Sequence, residues 1–68
     1  MRKGDIIKHD YNTDVVFEVV TRYHIEEKGY YKLYGRWINI TSPNNPFVID
    51  FDRIKIKDKD MKYWRLYV

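Results

Sequence analysis

Asp14-Val15-Val16-Phe17-Glu18-Val19-Val20-Thr21-Arg22-Tyr23 is the longest run of β-branched and aromatic residues in the chain. It is free of Gly and Pro and flanked by the polar turn material Tyr11-Asn12-Thr13 and Glu26-Glu27-Lys28-Gly29. The run reads as a strand. Alternation assigns its faces: Val15, Phe17 and Val19 are uniformly apolar and form the core side, whereas Val16, Glu18, Val20 and Arg22 mix apolar with charged residues. So long a strand in a chain of 68 residues pairs on both edges and must bend to do so, which predicts a small barrel.

Working outward, Gly4-Asp5-Ile6-Ile7-Lys8 reads as a short opening strand, and Asn12-Thr13-Asp14 as a tight turn into the long one. Glu26-Glu27-Lys28-Gly29 ends in the residue that tolerates positive φ, as a hairpin connection requires. Tyr30-Tyr31-Lys32-Leu33-Tyr34 then returns, with Tyr31 and Leu33 inward and Tyr30, Lys32 and Tyr34 outward. Gly35-Arg36 reads as a turn. Trp37-Ile38-Asn39-Ile40-Thr41 follows with Ile38 and Ile40 inward and Trp37 outward, and a one-residue slip would make Trp37 core.

Ser42-Pro43-Asn44-Asn45-Pro46 is the strongest loop signal. Phe47-Val48-Ile49-Asp50-Phe51 is ambiguous and is read as a 3-10 turn capping one end of the barrel. Arg53-Ile54-Lys55-Ile56-Lys57 alternates as a half-exposed strand with a basic outer face, and Asp58-Lys59-Asp60 turns the chain. The last segment, residues 61–68, sets Trp64, Leu66 and Val68 against Tyr63, Arg65 and Tyr67, and is an added strand or a docking tail. The expectation is an all-β, single-domain fold over residues 1–68: an SH3-like barrel of five or six antiparallel strands with a short 3-10 capping turn.

The order of these signals resembles small SH3-like or Tudor-like barrels. More narrowly, Gly4-Asp5-Ile6-Ile7, Asp14-Val15-Val16-Phe17-Glu18-Val19, Leu33-Tyr34-Gly35 and Ile38-Asn39-Ile40-Thr41-Ser42-Pro43 resemble the N-terminal barrel region of YabG-type sporulation peptidases. That resemblance covers residues 4–57 and includes no peptidase body. It implies a non-catalytic module and carries over no catalytic residue.

Composition narrows the chemistry. Without cysteine there is no disulfide, thiolate metal site or cysteine nucleophile, which fits a reducing, cytoplasmic setting. Seven Tyr, three Phe and two Trp supply apolar area in place of cross-links. No apolar run is long enough to cross a bilayer, so no membrane association is expected. Ser42 is the only serine, and His9 and His24 fall in separate turns, so no Ser-His-Asp site is arranged. The pairs Asp50/Asp52 and Asp58/Asp60 each place two carboxylates on one side of an extended segment. A cation site needs more ligands than that, so no metal, cofactor or small-molecule substrate is expected.

Two binding readings remain. The formal charge is +3, but residues 1–52 hold seven Lys/Arg against eight Asp/Glu, whereas residues 53–68 hold six against two. That asymmetry, with Arg53, Lys55, Lys57, Lys62 and Arg65, suits RNA or DNA. Outward Tyr30, Tyr34, Trp37, Tyr63 and Tyr67, with Arg36 and Arg65, suit a protein partner or self-association instead. The sequence favours the second: a non-catalytic binding module recognising a protein through surface aromatic and basic residues. A phage-like inhibitor of a host factor would belong to that class.

Overall fold

A computed structural model of the chain describes residues 1–67. It is all-β: five antiparallel strands form one sheet in the order β4-β3-β2-β1-β5. The strands are β1 (Ile6–His9), β2 (Val15–Ile25), β3 (Tyr30–Asn39), β4 (Phe47–Lys57) and β5 (Trp64–Leu66), with 3-10 turns at Glu26–Lys28 and Asp58–Tyr63. The long run quoted above is β2, and it pairs with β1 on one edge and β3 on the other.

The core is small. Ile7, Phe17, Val19, Leu33 and Ile56 are buried together, with Met1, Tyr31, Trp37, Ile54, Met61 and Trp64 packed against them. Val16 is equally buried outside that cluster, opposite Ile38, whereas Val15 is only partly buried. The expected core face of β2 is therefore correct at Phe17 and Val19 and displaced by one residue at its start.

A bulge in the β2–β3 ladder between Val19 and Thr21 leaves Val20 unpaired. Its extra residue reverses the parity of β2. Before it, Phe17 and Val19 face inward; beyond it, Arg22 and His24 share the inner side with Leu33 and Tyr31, and Thr21 and Tyr23 face outward.

Three expectations are corrected. Gly35-Arg36 is not a turn, because β3 runs unbroken through both residues. The glycine is required by proximity: a Cβ there would lie 2.0 Å from the Glu18 carbonyl oxygen and 2.7 Å from the Phe17 ring. With no turn, the register beyond it shifts. Trp37 stands opposite Phe17, ring centroids 4.9 Å apart, and covers the core instead of pointing outward.

The segment Phe47-Val48-Ile49-Asp50-Phe51 is not a 3-10 cap but the first half of β4, paired with residues 36–39 of β3. The β3–β4 hairpin extends here past the core, which gives the molecule its 40 × 20 × 16 Å shape. Both faces of this half are exposed, so the apolar residues have no reason to alternate. The 3-10 turn before the closing strand is Asp58–Tyr63, which delivers Met61 and Trp64 to the core. Residues 61–66 thus complete the fold, though Leu66 is exposed; the inward expectation for Val68 lies outside the described residues.

Gly29, at φ 68°, ends the turn after β2 as the sequence predicts. Its carbonyl accepts the Asp58 N–H at 2.9 Å, and both Asp58 carboxylate oxygens lie within 3.1 Å of His24 Nε2. The β2–β3 connection and the second 3-10 turn are thereby tied together.

Candidate functional site

The outer face of β2, β3 and β4 is built as cross-strand rows. Directly opposed residues on antiparallel strands share a face. The register gives the rows Glu18, Arg36, Phe51; then Thr21, Tyr34, Arg53; then Tyr23, Lys32, Lys55; then Ile25, Tyr30, Lys57. Aromatic and basic side chains alternate down and across this face. Lys55 Nζ sits 4.4 Å from the Tyr30 ring centroid, Arg53 lies over Tyr34 at 6.0 Å, and the Tyr34 and Phe51 rings stack at 6.0 Å with 18° between planes. A shallow groove of about 400 Å³ runs between Tyr23, Lys32, Tyr34, Arg53 and Lys55. Arg2 and Lys3 border its β2 side across a second hollow shared with Thr21, Arg22 and Tyr23.

The charge of this face is one-sided. Glu18 is the acid among these rows, and it is ion-paired with Arg36 beside it. Among the described residues no carboxylate pairs with Lys32, Arg53, Lys55 or Lys57. Tyr23 is 68% exposed and Phe51 52%, so two of the rings stand in water beside free cations.

A second cluster lies where the free edges of β4 and β5 face each other without pairing. His9, Tyr11, Tyr63 and Trp64 meet there ring against ring, at 5.0 Å for His9–Trp64 and 5.9 Å for Tyr11–Tyr63. Trp37 continues the cluster toward the core, 6.5 Å from Trp64. With Ile54, Ile56 and Asp60 these rings line a hollow across the gap.

The residues expected to bind a protein partner therefore separate. Tyr30, Tyr34 and Arg36 lie on the outer face of β3, while Trp37 and Tyr63 belong to the aromatic cluster at the gap. Arg65 is held by Asp10 at 2.7 Å, and Tyr67 follows β5 with its N–H donating to the Ile6 carbonyl. Of the residues expected to contact nucleic acid, Arg53, Lys55 and Lys57 fall together on β4. Lys62 lies apart on the 3-10 turn, over the Tyr63 ring, and Arg65 lies with Asp10.

Sequence reasoning missed Tyr23, Lys32 and Phe51 on the outer face, and His9, Tyr11 and Trp64 at the gap. For Lys32 the signal was present, since its outward position had been read correctly. For Tyr23 the hidden bulge removed it. Among the described residues no three His, Asp or Glu side chains converge as a metal site, and no helix is long and apolar enough to cross a membrane. Compared with protein-family models, curated proteins and solved structures, the chain matches none.

Proposed function

We propose that this chain is a non-catalytic binding module whose outer β2–β3–β4 face takes single-stranded nucleic acid. The observation that carries the reading is the interleaving of Tyr23, Tyr34 and Phe51 with Lys32, Arg53, Lys55 and Lys57 on a face whose acid is already paired. Phosphates would lie along the basic side chains and bases would stack on the exposed rings, a mode that tolerates any sequence because every base has a π face. The strand order, with a 3-10 turn ahead of the last strand, supports an SH3-like barrel as its frame.

Fluorescence anisotropy with labelled single-stranded and duplex RNA and DNA across a salt series tests this. Single strands should bind preferentially, with affinity falling as salt rises. Lys55→Glu/Lys57→Glu should abolish binding. Tyr23→Ala/Tyr34→Ala should weaken it by about 1–3 kcal/mol per stacked base while leaving the salt slope in place. Absence of binding at low salt, or variants that bind like the parent, would reject the reading.

A protein partner is supported by a different observation, the ring cluster of His9, Tyr11, Tyr63 and Trp64 in the open gap between β4 and β5. Tyr11 is 81% exposed there, which suits an aromatic contact with a partner. Under this reading a protein captured at moderate salt is lost on Tyr11→Ala/Tyr63→Ala and retained by Lys55→Glu/Lys57→Glu.

A further inference from the structure

β4 is an end strand, and its second edge meets no other strand among the described residues. Antiparallel ladders direct alternate residues toward and away from a neighbour. The bond from Asp58 N–H to the Gly29 carbonyl fixes the phase: even-numbered residues of the C-terminal part of β4 face β3, and the N–H groups of Phe51, Arg53 and Lys55 point to the open edge.

Two of those donors are already occupied. Asp50 Oδ1 accepts the Phe51 N–H at 2.8 Å, and Asp52 Oδ1 accepts the Arg53 N–H at 2.7 Å. The second oxygen of Asp52 accepts Trp37 Nε1–H at 3.1 Å, which braces that carboxylate against the core-covering ring. Around the two caps Phe47, Val48, Ile49 and Phe51 are all exposed, and residues 47–52 contain no Lys, Arg or Pro. An apolar edge of this kind is a template for another strand unless something blocks it.

The strand it fits is its own copy. Residues 47–52 carry two acids and no base, and residues 53–57 carry three bases and no acid. An antiparallel two-fold pairing of β4 with β4 lays the acidic half of each copy beside the basic half of the other. We propose that Asp50 and Asp52 are edge caps: their carboxylates hold the outward N–H groups of β4 and so keep a self-pairing strand closed to a second copy of this chain. A charged acceptor holds an N–H more strongly than an incoming neutral carbonyl does, so the caps must be displaced before the ladder can form.

Sedimentation over a concentration series, with circular dichroism to confirm the fold, tests the proposal. The parent should be monomeric. Asp50→Ala/Asp52→Ala should dimerise reversibly, with a dissociation constant at least tenfold lower than the parent's. Adding Phe51→Pro, which deletes an outward N–H without touching the β3 ladder, should return that variant to monomer. Asp50→Asn/Asp52→Asn keeps an acceptor oxygen and should stay monomeric. Should the double alanine variant fail to fold, Asp50→Ala alone carries the test, since Asp50 lacks the bond to Trp37. A folded alanine variant that stays monomeric, a parent that already pairs through β4, or an asparagine variant that dimerises as readily as the alanine one would each overturn the proposal.

Discussion

Gly35 lies against Phe17 so closely that a single added carbon would stand 2.7 Å from its ring and 2.0 Å from the neighbouring Glu18 carbonyl oxygen. The contact explains why a glycine sits in mid-strand, where it is otherwise unfavourable. Neither obstacle is the end of a flexible side chain, so β2 and β3 must separate to admit a methyl group. Gly35→Ala should cost on the order of 3 kcal/mol, at the upper end of ordinary overpacking. Urea unfolding measures it, and a midpoint equal to the parent's would refute the contact.

Gly29 offers the same substitution with a different cause. Its φ of 68° is left-handed, yet an added Cβ would meet only Asp58 Oδ2, at 3.9 Å. The penalty is conformational alone. Gly29→Ala should lose about 1 kcal/mol, and Gly29→Asn should recover part of it because Asn tolerates this region. Equal losses for Ala and Asn would point to crowding instead.

Phe17 is fully buried and touches both Gly35 and Trp37. Phe17→Ala should remove about 3–5 kcal/mol. A domain of this size typically holds about 3–10 kcal/mol in all. The variant is therefore expected to be largely unfolded by circular dichroism at ambient temperature, while Val15→Ala, at a partly buried site, remains folded.

Glu18 neutralises Arg36 at the edge of the basic face. If nucleic acid binds there, Glu18→Gln frees one more cation for phosphate. Affinity for single-stranded oligonucleotides should rise at low salt, and the slope of log affinity against log salt should steepen by about 0.7. An unchanged slope would place the bound strand away from Arg36.

Trp37→Phe keeps an aromatic ring against Phe17 and deletes the N–H that bonds to Asp52. The loss should be about 1 kcal/mol, the ordinary net worth of one hydrogen bond plus a modest packing change. Thermal unfolding reads it directly.

Much of the fold was legible because alternation is visible wherever one face is wet and the other dry. That condition holds for residues 30–34 and 53–57, and their inward and outward residues were read correctly. It fails for residues 47–51, which are wet on both faces and so carry no periodic signal. Gly35 was read as a turn because a mid-strand glycine and a hairpin glycine look alike until the ring packed against one of them is seen. The outer face was half legible for a related reason: Lys32, Tyr34, Arg53 and Lys55 follow from alternation, but a bulge at Val20 moves Tyr23 onto their side and leaves no mark in the sequence.

The strand order also sets a timetable. β2, β3 and β4 are joined by short connections and need only neighbouring segments to pair, whereas β1 finds one partner in β2 and the other in β5, where Ile7 meets Leu66 from almost the far end of the chain. Closing so long a loop is slow relative to hairpin formation. The meander of residues 15–57 is thus expected to assemble first and β5 to dock last, bringing Trp64 onto a sheet already in place. Stopped-flow fluorescence of a Trp37→Phe variant, in which Trp64 alone reports, should then lag behind the far-ultraviolet signal of strand formation; coincident traces would mean that the meander does not wait.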